Sequence, residues 1–282
     1  MSKKTFFILV LLIVVLFVIK VGVDKYKENI PQLLSSFIDL EKIDEDRKEE
    51  LLEGYNHISF EHLTIHYLES DKELLLATKN ALNHGIKLNQ KIIGSYNKPY
   101  DVVIFKNNHE IESFSGLEYA IGFNSPSMNM FGVLPENREG LIKNVGPTVW
   151  LFNKNVMHEY THYVFTQKLS ELEINYSDIP LWFSEGIAEY IGMNGMEAPN
   201  TLSKIVPLNE LTTHEQWNNY RTDPLYDIYL QSNLAIQFLI NEYGSDVINK
   251  ILFQTQMKGD FEVGFQSVTG LDVSNLSAAI LN

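Results

Sequence analysis

The chain opens on an apolar run. Every position from Phe6 to Ile19 is apolar, and after Lys20 the run continues through Val21-Gly22-Val23. At about 1.5 Å per residue, residues 5–23 reach across most of a bilayer core if helical, and Lys20 can carry its charge to the interface. Lys3 and Lys4 favour a cytoplasmic N-terminus, although Lys20, Lys25 and Lys27 weaken that bias. A cleavable signal peptide is the rival, but no small-x-small cleavage site follows, only Val21-Gly22-Val23-Asp24. The expectation is an uncleaved anchor over residues 1–23, with the remainder outside the cytoplasm. If the helix is cleaved, the protein is secreted instead.

Residues 24–54 change character. The stretch Asp39-Leu40-Glu41-Lys42-Ile43-Asp44-Glu45-Asp46-Arg47-Lys48-Glu49-Glu50 is mostly charged and reads as a partly helical stalk. From residue 55 to 282 the pattern is that of a folded domain. His57 to Tyr67 alternates with period two, as a strand does. Within it, His62 and His66 would share a strand face about 13 Å apart, too far to hold one ion, so both are expected to face solvent. Residues 71–93 read as a helix with Asp71 as its cap, and Asp101–Phe105 as a buried strand. Ile121 to Leu134 reads as turn and strand, with Met128–Val133 as a sheet edge able to pair with an extended peptide. Helical periodicity then covers 213–220, 227–243, 245–257, 259–268 and 273–281, with stops at Gly244 and Gly270. The predicted fold class is α+β: a small mixed sheet and two helices at the centre, then a mostly helical lobe.

One short motif carries chemistry. His158-Glu159-Tyr160-Thr161-His162 fits H-E-x-x-H. Residues four apart share a helix face, so two imidazoles can grip one metal ion. Glu159, one step round, is then positioned to act on the water that such a site activates. A zinc enzyme needs a third protein ligand and an open position. Downstream, Pro180 opens Leu181-Trp182-Phe183-Ser184-Glu185-Gly186-Ile187-Ala188-Glu189-Tyr190. Glu185 and Glu189 share a face that is otherwise small and apolar, which is odd unless something positive meets them. Glu185 as metal ligand and Glu189 as acceptor for a ligating histidine answer that oddity. Gly186 and Ala188 would let the two helices approach closely.

These residues resemble the gluzincin metallopeptidases of the peptidase MA-like group, which carry H-E-x-x-H and, some twenty residues on, W-[FL]-x-E-G-[FIL]-A-x-Y. The resemblance implies one zinc ion per chain, held by His158, His162 and Glu185, with Glu189 supporting His158 and Glu159 as general base. Tyr229-Leu230-Gln231-Ser232 resembles the Y-x-Q-S segment of peptidase MA-like domains. It implies Tyr229 as donor to the oxyanion of the tetrahedral intermediate, with Tyr226 as the alternative. The related aminopeptidases carry G-x-M-E-N ahead of the zinc helix. Nothing like it precedes His158, and Gly195-Met196-Glu197 lies on the wrong side, which favours an endopeptidase acting on peptides or proteins.

Composition narrows the setting. The formal net charge of −14 argues against nucleic acid and against general adhesion to anionic lipid. There is no cysteine, which excludes a lipid-modified cysteine. An export signal without cysteines suits a bacterial surface protein. The competing expectation is a zinc-binding but inactive cell-surface interaction protein. The intact Glu159 speaks against it, since a purely structural site has no need of that acid.

Overall fold

The structure, a computed structural model, describes residues 44–196 and 201–280. The expected anchor over residues 1–23 and the stalk before residue 44 lie outside the described residues. Among the described residues no helix is long and apolar enough to cross a membrane. The chain divides into two units, Met1–Glu53 and Gly54–Asn282. In the first, residues 44–52 form a helix.

The second unit starts with a hairpin where the alternating pattern suggested one strand. Glu61 takes a left-handed backbone (φ 51°), and β1 (Asn56–Phe60) turns back into β2 (Leu63–Tyr67), Phe60 opposite Leu63. The turn carries His62 out of the strand. Its ring stacks on Tyr163 at 5.5 Å and sits 3.5 Å from the Tyr160 hydroxyl. His66 stays in β2 and meets Asp101 at 2.8 Å. The expectation that both face solvent is thus corrected: each is half-buried against a partner from another element.

A 3-10 turn, Glu69–Leu74, leads into α1 (Leu75–Ile92). Asp71 does not cap it. Its side chain is only 1% exposed and pairs with Arg138 (Nε–Oδ1 2.7 Å). A buried carboxylate requires such a partner, and the same guanidinium donates to the Phe105 and Pro135 carbonyls. After β3 (Tyr100–Ile104) and α2 (Asn108–Ser115) come β4 (Gly122–Ser125) and β5 (Met130–Val133). The sheet order is β1-β2-β3-β5-β4, parallel at β2/β3 and β3/β5 and antiparallel at both ends. The expected edge strand is therefore wrong. β5 is interior, with all four residues buried, because the chain folds back through Asn129 (φ 48°) and inserts β5 against β3. The edge falls to β4.

After α3 (Arg138–Ile142), α4 (Gly146–Glu171) starts with Pro147 in its first turn, where a missing N–H costs nothing. From Asn155 to Phe165 every residue of α4 is buried, between β4 and β5, α1, and α5 (Leu181–Gly192). Thr161 satisfies its hydroxyl in that interior by donating to Met157 O and accepting from Asn89. The rest is helical: α6 (His214–Asn218), α7 (Ile228–Tyr243), α8 (Val247–Lys258), α9 (Phe261–Thr269) and α10 (Val273–Ala279). Gly244, Gly259 and Gly270 stand at the C-terminal caps of α7, α8 and α9 with positive φ.

Gly186 and Gly192 set the spacing of α5 against its neighbours, and Gly186 differs from expectation. A Cβ at Gly186 would lie 2.5 Å from the Ser232 carbonyl, so Gly186 admits α7 rather than α4. The close approach of α5 to α4 is at Gly192, where a Cβ would lie 3.0 Å from the Lys154 carbonyl and 3.5 Å from His158 Cβ.

Candidate metal centre

α4 and α5 cross so that three side chains able to ligate a metal converge. The Nε2 atoms of His158 and His162 are 3.0 Å apart. Glu185, from α5, lies 3.4 Å from His158 Nε2 through Oε2 and 3.5 Å from His162 Nε2 through Oε1. One ligand atom from each falls within 4.8 Å of the others. A tetrahedral zinc with bonds of about 2.0–2.1 Å has ligand atoms about 3.3–3.4 Å apart, close to this spacing. Two imidazole nitrogens and one carboxylate, all largely buried, form the donor set of an open zinc site. The residues fit the ion.

The electrostatics point the same way. Burial alone would push the His158 imidazole down, but the carboxylates of Glu185 and Glu189 outweigh it and carry it up to about 10 in the metal-free protein. Burial would raise Glu185, yet the two histidines hold it well below the usual carboxylate range. Glu189 is likewise lowered, against its burial, by His158 and Lys154. The site stabilises positive charge between its acids, which a cation can supply in place of a proton.

That shift has a sign. A histidine raised from 6.5 to about 10 stabilises the fold fully below about pH 6.5 and loses that contribution as pH rises through 10. Zinc must displace the same proton. Metal-free protein is therefore expected to melt at progressively lower temperature from pH 7 to 10, while the stabilisation by added zinc grows. Melting curves with and without chelator measure both. A metal-free Tm that is flat or rising over this window would contradict the shift.

Glu189 sits behind the first histidine. Its Oε1 is 3.1 Å from His158 Nδ1, within reach although off the hydrogen-bond line. Lys154 Nζ contacts both oxygens of the same carboxylate, at 2.9 and 2.7 Å. Nothing in the motifs marked Lys154; the available signal was its position four residues before His158, on the same helix face.

Glu159 is 7% exposed and points at the sheet edge. A Cβ at Gly122, the first residue of β4, would stand 2.3 Å from Glu159 Oε1, so the glycine makes room for the acid. Burial raises the Glu159 pKa; the two histidines oppose this, while Glu185 and Glu189 add to it. Asn124 ties β4 to α4, donating to the Glu159 carbonyl (3.4 Å) while accepting from the Tyr100 hydroxyl (3.2 Å).

A cleft of about 860 Å³ opens beside these groups, lined on one rim by residues 117–122 and on the other by Arg221, Thr222, Asp227 and Tyr229. Arg221 Nη2 donates to the Glu118 carbonyl at 2.8 Å, bridging the rims. The Tyr229 ring is 6.4 Å from that of His158 and edge-on to Trp217 at 5.0 Å. Burial and the charge of Glu185 raise its phenol pKa, keeping it a donor. Tyr226 packs against Tyr220 and Lys204 and does not line the cleft.

The peptidase M9 family model described as collagenase matches residues 21–273. The chain is also 37% identical over 223 residues to the uncharacterized protein YhcO of Bacillus subtilis (strain 168), covering 79% of this chain and 69% of that relative.

Proposed function

The chain belongs to the peptidase M9 collagenase family of zinc metallopeptidases, and from that premise we propose that it hydrolyses peptide bonds at His158, His162 and Glu185 with Glu159 as general base. The observation that carries this is the convergence of two imidazole nitrogens and a carboxylate beside a second buried acid that is not among the three. Zinc, when bound, supplies a Lewis acid that polarises the scissile carbonyl and acidifies the attacking water. Glu159 takes the proton from that water and passes it to the leaving amine. The Tyr229 hydroxyl donates to the developing oxyanion.

Substrates are peptides or proteins. An extended peptide would pair with the exposed side of β4, whose backbone hydrogen bonds make no demand on side-chain identity. The finer assignment is a gluzincin of the peptidase MA-like kind, supported by the order of H-E-x-x-H and the Trp182–Tyr190 motif. Endopeptidase action is supported by the lack of a G-x-M-E-N stretch before α4. Anchoring in the membrane through residues 1–23, with the peptidase domain outside the cytoplasm, is supported by the apolar run alone.

Tyr229→Phe tests the oxyanion assignment. Removing one such donor is expected to lower kcat by about 10²-fold, with KM and zinc content close to wild type. Steady-state kinetics on a peptide substrate would read this split. An unchanged kcat would leave Tyr229 as a packing partner of Trp217 only.

A further inference from the structure

Among the described residues, Lys154 is the cation that reaches into the buried charge cluster, and it has no part in the chemistry above. Its Nζ touches both Glu189 oxygens, and the two side chains are 19% and 8% exposed. The lysine stem is held by α5, since Gly192 packs against the Lys154 backbone and Cγ. Glu189 in turn stands 3.1 Å from His158 Nδ1. Three carboxylates, Glu159, Glu185 and Glu189, share this interior with at most two formal positive charges from a divalent ion. Lys154 completes the balance. Without it, Glu189 would keep its burial but lose the contact that fixes which way its oxygens point, and an unpaired buried carboxylate is costly.

We propose that Lys154 is a positioning residue for the metal: it clamps the Glu189 carboxylate beside His158 Nδ1, so that the ring carries its proton there and offers Nε2 to the ion. This rests on the zinc assignment of the preceding subsection. A ligating histidine needs its other nitrogen occupied to present the right tautomer. Here the partner of that nitrogen is itself oriented by a charge one helical turn before the ligand. Lys154 is thus two contacts from His158 and three from the metal, and acts through Glu189 alone.

The test is zinc affinity, measured by competition with a chromophoric chelator, for the wild type, Lys154→Met, Lys154→Arg, Glu189→Gln and the Lys154→Met/Glu189→Gln pair. Circular dichroism checks the fold of each. Loss of a supporting partner typically weakens a metal site by about 10–100-fold. Lys154→Met is expected to weaken zinc binding by about tenfold, at the lower end of that range. Lys154→Arg, which keeps a cation in reach, should recover most of the loss. In the Glu189→Gln background Lys154→Met should add nothing, because contacts in series are not additive. Zinc affinity of Lys154→Met within about twofold of wild type would overturn the proposal, since supporting partners cost more than that. So would an equal loss in the Glu189→Gln background, which would mean a general effect on packing. If Lys154→Met does not fold, Lys154→Gln replaces it under the same two criteria. A wild type that binds no zinc would instead refute the metal centre itself.

Discussion

Replacing Glu159 by glutamine is expected to leave zinc bound and to lower peptide hydrolysis by about 10²–10⁴-fold, the usual worth of a positioned general base. The amide has the shape of the carboxyl group, so it fits the space that Gly122 leaves open. It cannot take a proton from water. Glu159 is not one of the three converging ligand groups, so zinc content should be unchanged. The fold should hold as well: Glu159 shares its surroundings with Glu185 and Glu189, whose charges oppose its own ionisation, and a neutral side chain relieves that repulsion. Zinc analysis and turnover on the same sample make the test. Residual turnover within about tenfold of wild type, well short of that range, would remove Glu159 from the mechanism. The expected loss of turnover with zinc retained also decides against the alternative of an inactive zinc-binding surface protein, for which the substitution changes nothing measurable.

Replacing Glu185 by alanine is expected to have the opposite profile, with zinc and activity lost together. Glu185 contacts both histidine Nε2 atoms, and its carboxylate is kept ionised by them. Its removal leaves two neutral-capable imidazoles and no anionic ligand. Affinity should fall by more than the roughly 10–100-fold that a supporting partner costs. Adding zinc in excess should not restore wild-type turnover. The metal-free variant also loses an acid that holds the His158 proton, so its Tm at neutral pH should fall below that of metal-free wild type. Calorimetric zinc titration with full wild-type affinity would displace Glu185 from the ligand set and send the search for a third ligand elsewhere on the cleft.

The convergence of His158, His162 and Glu185 could be expected from the chain because its signal is local. H-E-x-x-H and the Glu185/Glu189 pair each sit within two turns of helix, where spacing translates directly into a shared face. Helix ends at Gly244 and Gly270 were legible for the same reason. What the sequence hid is non-local. The alternation from His57 to Tyr67 continues through the turn, so no composition change marks the hairpin at Glu61-His62. The strand order at the sheet edge depends on β5 inserting against β3, a pairing between segments far apart in the chain. Asp71 looks like a helix cap until Arg138, 67 residues later, claims it. Gly122 and Lys154 meet Glu159 and Glu189 through contacts that only the tertiary fold creates. The buried stretch of α4 shows no amphipathic stripe because sheet and helices cover it on every side, so periodicity says little about which of its faces matters.

Metal content is the most direct test of the whole account. Elemental analysis of the purified chain after gel filtration should give about one zinc per chain, absent from His158→Ala and from Glu185→Ala. No bound metal, even after zinc is supplied at neutral pH, would contradict the centre formed by His158, His162 and Glu185 and every step assigned to it.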